Sequence, residues 1–380
     1  MKKALLLVLL CLVPGLTGCG SLHSQRRELA QLRLMESMGL DAAPGGLILS
    51  LSSAPSDEEE VLCFSGSGVS LSQAMEQLQS RAGEELFCGH LQNILVGERY
   101  AQGAPETLLS AVCRSSDLRL DQPVFLVLGA TAREALESGS AASLRLLSPD
   151  REQAGSLSTA GGILRDLNRQ GSSLIRALRL QPSAQEGEED PDLVPAGYGI
   201  LGAEGLLATL SPEEAMAAEL LTGTLSPCPL LLRDRQGRAV TVELQDGSCA
   251  TRPLFDRKGA LTGLSLMIRA STVALARIIR LRPVRSRATV LEIAGFPSVA
   301  EEDYREELTA LLEKELTGRV QKLLRRSREL GADFLGLGRR LELAAPWRCR
   351  GLGERLGEKL PELALRLRVQ AELLHSNDIS

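Results

Sequence analysis

The chain is 380 residues long, 44% hydrophobic and only 3% aromatic, with a formal net charge of -5. Domains of roughly 150 residues would number two or three at this length, and the apolar content can bury a sizeable core, which excludes wholesale disorder. The acidic balance disfavours nucleic acid as the main partner, and a single tryptophan, Trp347, is poor material for a base- or sugar-stacking surface.

The first element is a leader. Met1, Lys2 and Lys3 precede an apolar run from Ala4 to Val13, closed by small residues, which is the pattern of a secretory signal. A transmembrane helix needs roughly 20 apolar residues, so this run is too short to span. Leu16-Thr17-Gly18-Cys19 has the form of a bacterial lipobox. It predicts a signal peptide over 1–18, cleavage between Gly18 and Cys19, and an S-diacylglyceryl group on the Cys19 thiol, with N-acylation of Cys19 as a further step. Stable anchoring takes two chains, since each buried CH₂ contributes only ~0.8 kcal/mol, and a diacylglyceryl group supplies both. Residues after Cys19 are therefore expected outside the cytoplasm, on a membrane they do not cross.

A polar tether over 19–25 leads into a first domain expected over 26–184. Leu29, Leu32, Met35 and Gly39 fit a short helix, and Ile48 to Ser52 a strand, followed by an acidic loop, Asp57 to Glu60. Val61 to Phe64 reads as a strand turned by Ser65 to Gly68. Ser70 and Gln73 then form a capping box for a helix to Arg81, stopped by Gly83. Phe87 to Gly97, which includes His90, reads as one strand. A helix from Pro105 to about Arg114, an apolar strand over Val124 to Leu128, and a helix from Thr131 to Ser138 complete an α/β pattern.

Gln185 to Asp192 combines like charges with glycine and proline and predicts an acidic linker over 185–192. The small domain expected over 193–250 opens on Gly197-Tyr198-Gly199-Ile200-Leu201-Gly202. This matches G-x-G-x-x-G but follows a linker instead of a strand, and Gly205 would interrupt a helix, so a hairpin with strands 197–201 and 205–210 fits better than a nucleotide loop. Ser211-Pro212-Glu213-Glu214 predicts an N-cap, an N1 proline and an acidic first turn for a helix to Thr222. Strands are expected near Leu230 and over Ala239 to Leu244.

The third domain, 251–380, shows strand alternation at Leu264, Leu266, Ile268 and Ala270, and a further strand at Thr289 to Ile293. A long helix over 301–330 carries Leu308, Leu312, Leu316, Val320 and Leu323 along one stripe. Lys314, Arg319, Lys322, Arg325, Arg326 and Arg328 occupy its other faces, either as a lipid-facing patch or, more simply, as a solvated surface with acidic neighbours. A final strand over 363–374 alternates Leu363, Leu365, Leu367, Val369, Ala371 and Leu373 with Arg366, Arg368, Gln370 and Glu372, and reads as a half-covered antiparallel strand.

The residues offer little chemistry. His23, His90 and His375 are the three histidines, placed in the tether, among apolar neighbours and near the C-terminus. No catalytic motif is present, and no Cys-x-x-Cys pair supports a zinc site. No catalytic, cofactor-binding or metal-binding residue is therefore proposed from the sequence. Beyond Cys11 and Cys19, the cysteines Cys63, Cys88, Cys113, Cys228, Cys249 and Cys349 lie mostly in apolar runs and are expected as buried free thiols. The fold class expected is α+β, with three domains that each pair a mostly antiparallel or mixed sheet with flanking helices.

Several stretches, in order along the chain, carry a resemblance. They are Gly18-Cys19 with Arg26-Arg27-Glu28-Leu29 and Gly39-Leu40-Asp41; the helix from Ser70 leading to Gly89-His90-Leu91 and Val96-Gly97-Glu98; and the Gly197 hairpin with Leu210-Ser211-Pro212-Glu213-Glu214. The last is the long helix, then Gly331 to Gly338, then Trp347. The chain resembles the Ger(x)C family, lipoprotein C subunits of GerA-type spore germinant receptors. It departs in having Gly20 where the family has tryptophan, and a longer tether. The resemblance implies a non-enzymatic, palmitate-type lipoprotein subunit on the outer surface of the spore inner membrane, needed for receptor assembly or signalling, with integral membrane A and B subunits as partners and no cofactor. The alternative is an extracytoplasmic solute-binding lipoprotein of a transporter.

Overall fold

The computed structural model describes residues 32–53, 61–103, 118–138, 158–182, 191–275 and 302–374. The leader, Gly18, Cys19, the tether, the Asp57–Glu60 loop, the helix expected from Pro105, Cys113, most of the acidic linker and the strand expected at Thr289 lie outside the described residues.

The elements form two mixed β-sheets flanked by helices, an α+β architecture. The first sheet holds β1 (Leu32–Ala43), β2 (Gly46–Ser53), β3 (Cys63–Gly68), β4 (Glu85–Phe87), β5 (Asn93–Gly97), β6 (Val124–Leu128), β7 (Ser172–Gln181), β8 (Asp192–Gly202) and β9 (Gly205–Leu210). Its order is β3-β2-β1-β5-β6-β7-β8-β9, with β4 also alongside β1. The centre, β1-β5-β6-β7, is parallel, and both flanks are antiparallel. Every residue of β5 and β6 is buried, which is why these strands read as unbroken apolar runs.

Three local expectations fail here. Ser65 to Gly68, read as a turn, belong to strand β3 and pair with Leu47 to Ser50 of β2. Of the helix read into Leu29 to Gly39, residues 32–39 lie in strand β1, paired with β2 on one side and β5 on the other. A bulge between Met35 and Ser37 shifts the side-chain phase, so Met35 and Met38 are both buried at a spacing that mimics a helical turn. The stretch from Phe87 to Gly97 is two strands, and His90 sits exposed in the turn between them, its ring edge-on to Phe87 at 5.9 Å.

Helices α1 (Leu71–Ala82), α2 (Glu98–Ala101), α3 (Ala132–Glu137) and α4 (Ala160–Gln170) accompany this sheet. Ser70 caps α1, and Gly83 ends it at a φ of 70°. Thr131 and Glu134 close a reciprocal capping box on α3.

The second sheet is β10 (Cys228–Arg233), β11 (Ala239–Phe255), β12 (Leu261–Leu275) and β13 (Ala364–Leu374), in that order. The C-terminal strand runs parallel to β12, correcting the antiparallel expectation: α6 (Glu302–Leu330) carries the chain back along the sheet before β13 begins. Its alternation is as read, with Leu363, Val369 and Leu373 buried and Arg366 and Arg368 exposed. The stripe Leu308, Leu312, Leu316, Val320 and Leu323 of α6 is fully buried. Side chains from α6 blunt the β13 edge: Glu313 accepts from the Ala371 N–H at 3.0 Å, while Arg305 and Arg328 donate to the Leu373 and Leu363 carbonyls. Two short helices, α7 (Leu337–Ala344) and α8 (Leu352–Lys359), follow α6.

The residues expected to form a separate small domain, 193–250, are instead divided. The β8–β9 hairpin extends the first sheet, and β10 and β11 belong to the second. Between them runs α5 (Pro212–Thr222), with Ala215, Met216, Ala217, Ala218, Leu220 and Leu221 all buried. A helix apolar on all sides must be covered on all sides. One continuous core therefore joins Leu174, Tyr198 and Ile200 of the first sheet, through α5, to Val242, Leu266 and the α6 stripe. A stand-alone domain of this size could not bury such a helix; the two sheets do so together.

Replacing Leu220 by alanine should cost about 2–5 kcal/mol and lower the stability of both sheets in one transition, because its cavity lies in the shared core. Urea denaturation followed by far-UV dichroism checks this, and separate transitions for the two halves would contradict it.

Candidate functional site

Cys19, the expected acylation site, and Gly18 lie outside the described residues, so candidate sites in the folded body are surfaces and clefts. A cleft of about 630 Å³ lies where α4 of the first sheet faces α7 and α8 of the second. Its floor is built by α7. Asp333 is fully buried and accepts hydrogen bonds from the N–H groups of Leu337 (2.9 Å) and Gly338 (2.7 Å), capping the helix. Gly336 turns the chain into the helix at a φ of 66°. A Cβ on Gly338 would come within 2.9 Å of the Gly353 Cα, so α7 and α8 meet glycine to glycine.

The cleft walls carry Arg165, Asp166 and Arg169 from α4, and Arg339, Arg340, Glu342 and Glu354 from the second half. Their charges are largely used within the structure. Arg165 pairs with Asp166 at 3.1 Å and Arg339 with Glu342 at 3.3 Å, while Arg340 donates to the Leu221 carbonyl at the end of α5. Glu342 also accepts from the Gly353 N–H at 3.1 Å, and these partners hold its carboxyl below the usual range despite the upward push of burial. Such a cleft holds two modules in register; it presents no nucleophile with an adjacent base.

Among the described residues no cluster of His, Cys, Asp and Glu could hold a metal ion. Cys63, Cys88, Cys228, Cys249 and Cys349 are free thiols. Burial pushes Cys63 up to about 11, so it stays a protonated apolar group at neutral pH.

The comparisons with known proteins fall on this scaffold. Residues 25–142 match the family described as spore germination protein N-terminal domain. Over this span the chain is similar to that family. Its fold is similar to the crystal structure of the GerBC protein, with a TM-score of 0.54 at 16% identity, covering 89% of this chain and 96% of that one. No curated protein sequence matches.

Among the described residues, several of the stretches that carry the Ger(x)C resemblance are structural. Asp41 of the Gly39-Leu40-Asp41 stretch is buried beneath α3 and accepts from the N–H groups of Ala132 (2.8 Å) and Arg133 (2.9 Å). Gly39 lies against Leu136 and Ala132, and a Cβ on Gly97 would collide with the Asp41 carboxylate. Ser211 and Glu214 close a capping box on α5. Gly331 to Gly338 contains the Asp333 cap, and Gly357 packs on the Gly331 carbonyl. Trp347 is the exception, since it stands 94% exposed.

The charged surface was half visible in sequence. Arg319 pairs with Glu315 at 2.7 Å, Lys322 faces Glu214 at 3.5 Å and Arg328 bonds carbonyls, so half of the six cations of the α6 run are engaged within the fold. Exposed arginines on the outer face of the second sheet were missed as a group, because only strand register brings β11, β12 and β13 side by side.

Burial pushes the Asp333 carboxyl from its ordinary 3.8 up to about 7. The folded chain then holds this proton more tightly than the unfolded chain. The resulting stability is complete below about pH 4 and is lost as pH rises through about 7. Urea midpoints of the native chain minus those of Asp333→Asn should therefore fall between pH 4.5 and 7.5, and a rising difference would contradict the assignment.

Proposed function

We propose that the protein is the lipid-anchored C subunit of a nutrient germinant receptor in spore germination. The observation that carries this is the family match over 25–142, supported by the GerBC-like fold across 89% of the chain. In this reading Cys19, freed by cleavage after Gly18, bears the S-diacylglyceryl group, and the folded body sits on the outer face of the spore inner membrane. Its partners are the integral membrane A and B subunits. The chain does no chemistry of its own: it contributes to receptor assembly or signalling, and tethering raises its effective concentration near its partners so that modest interfaces suffice. Among the described residues no helix is long and apolar enough to cross a membrane.

The alternative, an extracytoplasmic solute-binding lipoprotein, would draw on the cleft between α4 and α7. That cleft is open, and its Asp166 and Glu342 carboxylates are already paired with arginines, which weighs against a dedicated solute site.

Cys19→Ala should leave the soluble fold unchanged by circular dichroism, release the protein from spore inner-membrane fractions, and abolish or strongly slow nutrient-triggered germination. Wild-type germination by the unlipidated variant would overturn the proposal.

A further inference from the structure

Among the described residues nothing covers the outer face of the second sheet. On β12, Leu264, Leu266, Ile268 and Ala270 point into the core, so Ser265, Met267 and Arg269 point out. Register then fixes their neighbours. Ser265 lies between Arg252 of β11 and Arg366 of β13, Met267 between Ala250 and Arg368, and Arg269 between Ser248 and Gln370. Arg252, Arg269, Arg366 and Arg368 thus stand exposed around a floor of small side chains and one methionine. Arg252 and Arg366 are two strand spacings apart, about 10 Å. Among the described residues none of these four guanidinium groups has a hydrogen-bond or ion-pair partner. Asp246 and Glu372 flank Ser271 on the same face, one outward row beyond Arg269, and Glu243 follows, so the excess positive charge lies at the Arg252, Arg366 and Arg368 end.

The β11–β12 turn extends this charge. The Asp256 carboxylate is taken up by the N–H groups of Lys258 (2.9 Å) and Ala260 (2.8 Å), leaving the Arg257 and Lys258 side chains exposed. Against the same hairpin, the Arg348 guanidinium stacks 3.7 Å above the Phe255 ring. The residue before it is Trp347, 94% exposed, with Leu343 66% exposed one helical turn earlier. Phe255 packs against the core, so this indole and leucine project at the hairpin end of the sheet.

We infer that this face and the Trp347 corner form a docking surface for an anionic lipid bilayer. Exposed arginines on a flat sheet match a plane of phosphates. Trp347 and Leu343 protrude instead of lining a groove, which suits insertion at headgroup depth, where tryptophan places its apolar body and its N–H together. A second copy meeting this face would set arginines against arginines. The inference builds on the lipid-anchor reading, and the stretch from Cys19 to Leu32, at most about 45 Å long when extended, keeps the body within reach of the bilayer.

Trp347 is the one tryptophan of the chain, so its fluorescence reports this corner alone. The mature chain carrying Cys19→Ala, which cannot use the lipid, is mixed with vesicles of phosphatidylcholine, or of phosphatidylcholine with phosphatidylglycerol. With the anionic vesicles it should cosediment and shift its emission to the blue; added salt should reverse both. Arg366→Glu with Arg368→Glu should lower partitioning roughly tenfold or more. Trp347→Ala should weaken cosedimentation without altering circular dichroism. Absence of both the shift and cosedimentation, or binding indifferent to the charge reversal, overturns the inference and leaves the Cys19 anchor untouched. Loss of copurification with an integral membrane partner in these variants, with vesicle binding unchanged, would make the surface a protein interface and equally overturn it.

Discussion

The fold depends on one helix that has no wet side. Eleven residues from Pro212 to Thr222 place alanine, methionine and leucine around the whole circumference of α5. Its first turn is held by the Ser211–Glu214 box, and its far end by Arg340 on the Leu221 carbonyl. The Tyr198 hydroxyl donates to Glu219 at 2.8 Å, so the charged residue in the body of α5, beyond its acidic first turn, is tied to the first sheet. Burial and this neighbouring carboxylate push the Tyr198 hydroxyl well above its ordinary range, keeping it a donor. Neither sheet can complete its core without α5, which makes the two halves one body.

Both halves use the same device to seat a short helix. A buried carboxylate, Asp41 beneath α3 and Asp333 beneath α7, receives two backbone N–H groups at the helix start. Desolvation raises both carboxyls, opposed by those hydrogen bonds. Glycines give each site its close approach: Gly97 beside Asp41, and Gly338 against Gly353. The family resemblance is therefore a record of caps and tight contacts. It identifies the scaffold and says little about which surface meets a partner.

This explains what could be read in advance. Caps with a local signature, at Ser70, Thr131 and Ser211, appear where the sequence places them, because their hydrogen bonds span only a few residues. The α6 stripe and the alternation of β13 were legible for the same reason. What failed needed partners distant in sequence. Strand β1 was mistaken for helix because a bulge gives Met35 and Met38 a helical spacing, and only pairing with β5 resolves it. The direction of β13 depends on α6 crossing the sheet, and the division of 193–250 depends on which neighbours bury α5. Arg366 and Arg368 were visible as a wet stripe, but Arg252 and Arg269 join them only through the register of β12.

Charge accounting then separates two basic regions that look alike in sequence. On α6, carboxylates at Glu315 and Glu214 and the carbonyls of Leu360 and Leu363 absorb three of the cations, giving them structural work. On the open face of the second sheet the arginines are presented to solvent with no such partners. Like charges gathered on one face of a net-acidic chain repel each other and destabilise the fold slightly, an arrangement that an external anion would relieve. In the proposed reading, a body tethered at Cys19 and carrying exposed arginines on one sheet face has a preferred way to sit on an anionic membrane. That orientation would decide which of its other faces point along the bilayer, toward proteins that span it.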